Sequence, residues 1–394
     1  MPPDLELDIT ALAAGGDGVA RDASGRVTFV PRTAPGDRVR VRLVKHTSSF
    51  ARGALVEVVT PSPSRVAPPC PHFVAGCGGC QWQHVARAEQ LAAKQALVAG
   101  ALRKLEGLAI HSIANPAPDL GWRRRARFHV FAGAAGLYRE GSHDVVPIDR
   151  CPQLEPALDA AYAAVVAASP PAGELSLLLG HQGHVAVGTT KPWKSAARLL
   201  GVAGIVGLQC GGAVLGEPMI EVEPGLWGGP NDFAQASAAG NAELVRLARG
   251  ALPVQPGGAS AQRGALLELY AGAGNLTRAL VADGWRVTAS DAVAPARAPA
   301  GAEYLALPAA DALVQAQGPF DAIVVDPPRT GAADAIDGIV RHAPATIVYV
   351  SCDPATLARD AQRLAAAGYR ATDAWPVDLM PQTAHVEVVL RLVR

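Results

Sequence analysis

The sequence predicts a multidomain α/β protein with a small N-terminal β-barrel, a small central domain built around a cysteine cluster, and a C-terminal doubly wound α/β domain. Three observations lead there. Residues 6–60 alternate apolar and polar side chains between turn signals, and three of the six cysteines fall within residues 70–80. Beyond about residue 235, apolar strands ending in glycine-rich or Asp-Pro turns alternate with helical stretches. The corresponding spans are 1–61, 62–215 and 216–394. A chain of 394 residues, 49% of them hydrophobic, can bury two or three such cores. No apolar run reaches the roughly 18–20 residues of a membrane span, and no basic-then-apolar segment follows Met1. A soluble, cytoplasmic protein without membrane contact is expected, and it is read as a monomer.

The barrel is read from runs such as Arg26-Val27-Thr28-Phe29-Val30 and Arg38-Val39-Arg40-Val41-Arg42-Leu43-Val44. Gly15-Gly16-Asp17-Gly18, Ser24-Gly25 and Pro35-Gly36-Asp37 separate them as turns. Alternation puts Arg38, Arg40 and Arg42 on one face, either a phosphate-contacting stripe or a solvated strand surface. The formal net charge is zero, yet residues 1–130 carry 17 Lys and Arg against 10 Asp and Glu, a balance of +7, which leaves −7 for the rest. That split suits a part that holds RNA joined to a separate catalytic part, although an uneven surface produces it too.

After the Pro61-Ser62-Pro63-Ser64 linker come Cys70, Cys77 and Cys80, with Cys151 more distant. Without a secretory leader, disulfides give way to a metal or cluster site. The spacing fits a four-cysteine zinc site as well as an iron–sulfur cluster, and it differs from the C-x3-C-x2-C run of radical enzymes. Cys210 is read as a core residue. Residues 90–105 form an amphipathic helix through Leu91, Val98, Leu102 and Leu105, interrupted by Lys94 and Gln95. Arg123, Arg124, Arg125 and Arg127 place four guanidinium groups in five residues, a candidate RNA contact.

In the C-terminal region, Leu266-Leu267-Glu268-Leu269-Tyr270 is a buried strand, followed by Ala271-Gly272-Ala273-Gly274-Asn275 and a helix from Leu276. Strand, glycine turn and helix make a nucleotide-cofactor site, and the lack of a full G-x-G-x-x-G tilts against a dinucleotide. A second strand ends at Asp291, placed to hydrogen-bond ribose hydroxyls. A third motif, Phe320 onward to Asp326-Pro327-Pro328-Arg329, sets an acid in a rigid loop at the active edge of the sheet. Such loops also occur in methyltransferases acting on amino groups.

The strand from Ala345 leads into Ser351-Cys352-Asp353-Pro354 and a helix. Cys352 thus sits at a strand-to-helix handover, where helix N-terminal amides can favour a thiolate. Near the C-terminus, His385-Val386-Glu387 runs into Val388-Val389-Leu390. Alternation puts His385 and Glu387 on one face, and apolar neighbours can raise the proton affinity of the carboxyl, as a general base requires.

Together these motifs resemble the RNA 5-methyluridine methyltransferase family, which acts on bacterial tRNA and large-subunit ribosomal RNA. The matching pieces are the N-terminal barrel, Leu-Glu-Leu-Tyr-Ala-Gly-Ala-Gly-Asn, Asp-Pro-Pro-Arg, Ser-Cys-Asp-Pro-Ala-Thr-Leu-Ala-Arg-Asp and His-Val-Glu, spread over nearly the whole chain. The resemblance implies an OB-like TRAM domain, an iron–sulfur domain and a Rossmann-like class I methyltransferase domain using S-adenosylmethionine. It assigns Cys352 to addition at uracil C6 and Glu387 to removal of the C5 proton, with the target base out of its stack. The family's cofactor positions map onto Gln235, Tyr270, Asn275, Asp291 and Asp326, with Asp311, in the loop after the third strand, a further candidate. Asp291 stands where many members have Glu, and Asp232-Phe233-Ala234-Gln235-Ala236-Ser237 is a loose version of the family's Phe-Gln-Val-Asn segment.

Ribosomal members hold a [4Fe–4S] cluster on cysteines in a segment that Cys77-Gly78-Gly79-Cys80-Gln81-Trp82-Gln83-His84 matches, so the resemblance implies that cluster on Cys70, Cys77, Cys80 and Cys151. Because members acting on tRNA typically lack both cluster and barrel, it also points to 23S ribosomal RNA. Two other readings stay open at this stage: an amino-group methyltransferase using Asp326-Pro327-Pro328, and a non-catalytic RNA-binding factor.

Overall fold

The alternating runs of the first sixty residues form a six-stranded sheet in the computed structural model, which describes residues 4–253 and 263–394 of the chain. Leu7, Ala20, Val30, Val39 and Val41, from four strands, meet in one buried cluster. The sheet therefore curls around its own small core. Arg38, Arg40 and Arg42 share its outer face, but each is matched by an acid. Arg38 reaches Glu6 at 3.2 Å, Arg40 reaches Glu57 at 2.7 Å and Arg42 reaches Asp4 at 3.0 Å. The stripe is a half-exposed, salt-bridged strand face, and its phosphate-contacting reading is not supported.

A seven-stranded sheet follows, with Val145–Pro147 at one edge, Ala213–Gly216 at the other and Arg125–Phe131 third from the first edge. The helix Pro156–Ala167 covers one face, burying Leu158, Tyr162 and Val165 against Phe128, Leu175 and Leu177, with Cys210 in the same core as expected. On the other face, the hairpin of Ile220–Glu223 and Leu226–Gly228 packs Ile220 and Val222 onto Leu178 and Ala186. This hairpin lies beyond residue 215 yet packs with the central sheet. Conversely, the helix Arg87–Leu102 and the strand Ala109–Ile110 lie before it and pack with the C-terminal sheet, through Val98, Leu102 and Leu105. Packing follows where the apolar stripes find partners and crosses the 62–215 span in both directions.

The helix also explains its interrupted stripe. Lys94 is fully buried, with Nζ 2.5 Å from Asp378 Oδ1 and 3.1 Å from the Met380 carbonyl. Burial pulls this ammonium down to about 8 despite Asp378. The four-arginine run is likewise divided. Arg124 is buried and tied to Glu223 at 2.6 Å and to the Gln235 carbonyl at 3.0 Å, Arg123 lies over the Trp122 ring, and Arg127 faces out. It is not a single RNA patch.

The C-terminal sheet has eight strands, in the order Glu303–Ala306, Arg286–Asp291, Ala265–Leu269, Ala322–Val325, Thr346–Ser351, Glu387–Val393, Arg370–Val377 and Ala109–Ile110. The first five run parallel, so their carboxyl ends form one edge. The strand Glu387–Val393 is antiparallel to Thr346–Ser351, with Val388 opposite Ser351. That register sets Glu387, the first residue of its strand, across from Cys352.

Candidate functional site

Cys352 occupies the step between the strand Thr346–Ser351 and the helix Pro354–Ala366. Ser351 Oγ accepts from the Asp353 amide at 3.1 Å and donates to the Asp353 carbonyl at 3.0 Å, which locks the turn. Asp353 then caps the helix, accepting from the Ala355 and Thr356 amides at 2.9 Å each. Asp353 takes these two amides, and the backbone amide that lowers the thiol is that of Cys352 itself. Burial first, then Glu387 and Asp326, push the Cys352 thiol up to about 11, against the pull of Arg329.

Glu387 is 6% exposed. Burial and the nearby Asp326 carry its carboxyl to about 8, with Arg329 opposing. Asp326 itself, at the end of the strand Ala322–Val325, is raised to about 7 by burial. Cys352, Glu387, Asp326 and Arg329 thus act on one another electrostatically at one sheet edge. His385 precedes the strand, whose pairing begins at Glu387, so the alternation expected between the two does not apply. The Arg329 guanidinium lies 3.2 Å from its ring, and burial with Arg329 lowers His385 to about 4, leaving it neutral.

A cavity of about 260 Å³ opens over Cys352. Arg329, His385 and Val386 line it from the catalytic sheet, Ala14 and Gly15 from the barrel, and Gln81 from the segment after Cys80. That segment is strapped in place. The Gln81 and Trp82 amides donate to the Gln382 carbonyl at 3.1 and 3.0 Å, the Trp82 indole donates to the Gly16 carbonyl at 2.9 Å, and Gln90 Nε2 donates to Gln382 Oε1 at 2.9 Å.

At the neighbouring strand end, Tyr270 has φ +60°, a strained conformation for a non-glycine residue. Its hydroxyl reaches Asp334 at 3.3 Å. Asp291 accepts from the Gly272 amide at 2.9 Å and the Val293 amide at 3.1 Å, holding the glycine turn against its own strand end. Asn275 forms a reciprocal amide pair with Asn241 at 2.7 and 2.9 Å, and Asn241 donates onward to Glu223 at 2.7 Å. Glu223 also binds Arg124 and Arg278. Gln235 joins this group through its carbonyl on Arg124 and through Ser237, which caps the helix Ala238–Gly250 carrying Asn241. Asp311 is exposed in the first turn of the helix Ala309–Gln315, not in a loop, and no hydrogen bond among the described residues ties it to the others. Sequence reasoning missed the layer behind the turn. Glu268 is buried, accepts from Thr277 Oγ1 at 2.6 Å and is raised to about 8 by burial. A lone Glu inside Leu-Leu-Glu-Leu was a visible signal for it.

Cys70, Cys77, Cys80 and Cys151 rim a separate cavity of about 120 Å³ with Arg123, Gln83 and Gln153. Cys151 is brought in by its amide on Asp159 at 2.9 Å, and Cys70 by its amide on Gln83 at 3.2 Å. Among the described residues, no three His, Cys, Asp or Glu side chains stand close enough to hold a single metal ion. Gln153 is 3% exposed, yet among the described residues neither its amide oxygen nor its nitrogen has a partner. No described helix is long and apolar enough to cross a membrane.

Comparison with known proteins agrees with this architecture. The TRAM domain family profile matches residues 4–56, and the tRNA (Uracil-5-)-methyltransferase profile matches residues 311–394. The chain is 34% identical to the 23S rRNA (uracil(1939)-C(5))-methyltransferase RlmD of Edwardsiella ictaluri, covering 97% of this chain and 94% of the relative. It is 35% identical to an uncharacterized RNA methyltransferase of Gloeobacter violaceus over 99% and 96% of the two chains. Among solved structures, the tRNA (uracil-54, C5)-methyltransferase of Pyrococcus abyssi, in complex with S-adenosyl-L-homocysteine, shares the fold. Its TM-score is 0.77 at 22% identity, over 99% of this chain and 100% of that one.

Proposed function

Because the chain belongs to the RNA (uracil-C5)-methyltransferase family, we propose that it methylates C5 of a uridine in 23S ribosomal RNA through Cys352, with S-adenosylmethionine as methyl donor. The observation that carries this reading is the convergence of Cys352, Glu387, Asp326 and Arg329 at one sheet edge, beside a cavity that reaches solvent. Uracil C5 is a poor nucleophile until a thiol adds to C6 and gives it enolate character. Cys352 Sγ supplies that addition. Gln235, Tyr270, Asn275, Asp291 and Asp326 would hold the donor, whose sulfonium methyl would pass to C5 as S-adenosylhomocysteine leaves with the S–C bond electrons. Glu387, with its raised proton affinity, then takes the C5 proton, and Cys352 leaves as the double bond reforms. The amino-group alternative has no use for a thiol paired with a buried carboxyl. Incubating the protein with labelled donor and either ribosomal RNA or tRNA tests the substrate. Label in tRNA alone would overturn the ribosomal reading, and label in neither would overturn the enzyme.

The glycine turn makes a sharper test of the donor site. Gly274 has φ +88°, and a Cβ there would stand 2.3 Å from Pro299 Cγ. Gly274→Ala is expected to weaken S-adenosylhomocysteine binding by about tenfold or more, measured by titration calorimetry. Unchanged affinity would place the donor elsewhere.

The four-cysteine cavity fits a [4Fe–4S] cluster better than a single zinc ion. The thiols surround a space and do not converge on one point, and the unpartnered Gln153 amide beside it suits a polar group in that space. The cluster is read as structural, since methyl transfer needs no electron. Anaerobically purified protein is expected to be brown, with iron and sulfide in equal amounts. Zinc without iron would overturn this assignment.

A further inference from the structure

The outer face of the central sheet carries side chains that the methyl-transfer site does not use. On the strand Arg125–Phe131, Ala126, Phe128 and Val130 are buried in the core, which turns Arg125, Arg127, His129 and Phe131 to the opposite side. Gly136 lies opposite His129 and the buried Ser176 opposite Arg127, so neither long side chain has a bulky cross-strand partner in these pairs. His129 and Tyr138 stack with ring centroids 3.8 Å apart and planes at 14°, and His143 meets Tyr138 edge-on at 5.3 Å. Phe131 is 70% exposed. These rings border an open cleft of about 530 Å³, whose rim includes Lys191 and Glu174.

The basic groups are interleaved with the rings. Arg127 is exposed, and its nearest acid is Glu174 at 3.9 Å, a loose pair. Arg125 donates to the Asp232 carbonyl at 3.0 Å, and its guanidinium lies 5.6 Å from the ring of Phe233, which is 69% exposed. The row therefore runs from Phe131 through His129 and Arg127 to the segment that carries Gln235, one of the residues assigned to the donor site. Outward residues recur about every 6.7 Å along a strand, room for one splayed base at each.

We propose that this face is a stacking platform for unpaired nucleotides of the RNA substrate, those that flank the target uridine. Exposed rings stranded in water cost solubility and contribute nothing to the core, whereas each offers a π-face to any base. Arg127 on the row and Lys191 at the rim of the cleft match a phosphate backbone, and an open sheet bearing aromatic residues is a recurrent way of holding single-stranded RNA. The platform rests on the methyltransferase reading for its substrate, and its test separates the two.

Full-length protein is titrated with fluorescent RNA containing the target uridine and unpaired flanks, read by anisotropy, with 2-aminopurine placed in turn along each flank. The parent is expected to quench one or more flank positions. His129→Ala/Tyr138→Ala and, separately, the exposed Phe131→Ala should lose that quenching and bind the long RNA about tenfold more weakly. RNA trimmed of its flanks should bind parent and variants alike, and Tyr138→Phe should restore stacking. Unchanged affinity for the long RNA in variants that melt like the parent would overturn the platform, as would an equal loss on trimmed RNA. Methyl transfer persisting alongside such a result leaves the enzyme reading standing. Quenching in a parent that methylates no RNA sinks the enzyme and keeps the platform.

Discussion

Cys352→Ala should abolish methyl transfer, lowering the rate by at least about ten-thousandfold, because among the described residues Cys352 is the thiol at this sheet edge that can add to C6. RNA carrying 5-fluorouridine at the target should form a denaturation-stable adduct with the parent and none with the variant. Retained activity in Cys352→Ala would return the protein to the amino-group chemistry that Asp326-Pro327-Pro328 alone permits. The thiol environment sets a pH signature. With Cys352 raised to about 11, the thiolate fraction of the free enzyme is small at neutral pH and grows as pH rises. Alkylation of Cys352 by iodoacetamide should therefore accelerate through pH 7 to 9. A rate already flat at pH 7 would mean that Arg329 outweighs burial.

Glu387→Gln should separate the two halves of the reaction. Addition and methyl transfer do not require Glu387 to be charged, whereas elimination requires a base for the C5 proton. Turnover is expected to fall about 100- to 10,000-fold, with methylated RNA accumulating as a covalent conjugate even without fluorine. A slow variant with no conjugate would move Glu387 to an earlier step. Stability gives an independent readout. The folded carboxyl titrates at about 8 against 4.5 for its ordinary value, so the fold favours the neutral form. That contribution is complete below the ordinary value and disappears as pH rises through 8. Glu387→Gln, neutral at every pH, should match the parent at pH 4 and exceed it at pH 9 by on the order of 1–3 kcal/mol in denaturant titrations. The base that the chemistry needs is one that the folded chain tolerates poorly.

Much of this was legible in the sequence because it lay in local patterns. The strand-turn-helix around Gly272 and Gly274, the acid before Pro327 and the Cys352 handover are each set by residues within a few positions of one another. What escaped depends on neighbours distant in the chain. Asn241 and Glu223 look like ordinary surface residues until the fold lays them behind Asn275. Lys94 reads as a break in an apolar stripe until Asp378 arrives to meet it. The arginine run misled for the same reason, since its outward or inward direction is set by a hairpin about a hundred residues later. The thiol's high proton affinity was likewise hidden, because burial and the distant Glu387 and Asp326 raise it, and none of these is visible at the strand-to-helix step.

The cavity over Cys352 draws its walls from Ala14 and Gly15, from Gln81 and from His385 and Val386, with Gln382 bonded to the strap after Cys80. Its parts therefore come from the beginning, the middle and the end of the chain. During synthesis the barrel and the central sheet can form early, as N-terminal units do. The catalytic cavity cannot close until the strand Glu387–Val393 has emerged and been threaded between its neighbours. A chain without this strand would carry Cys352 with no Glu387 opposite it, so the two reacting groups meet only in the completed sheet.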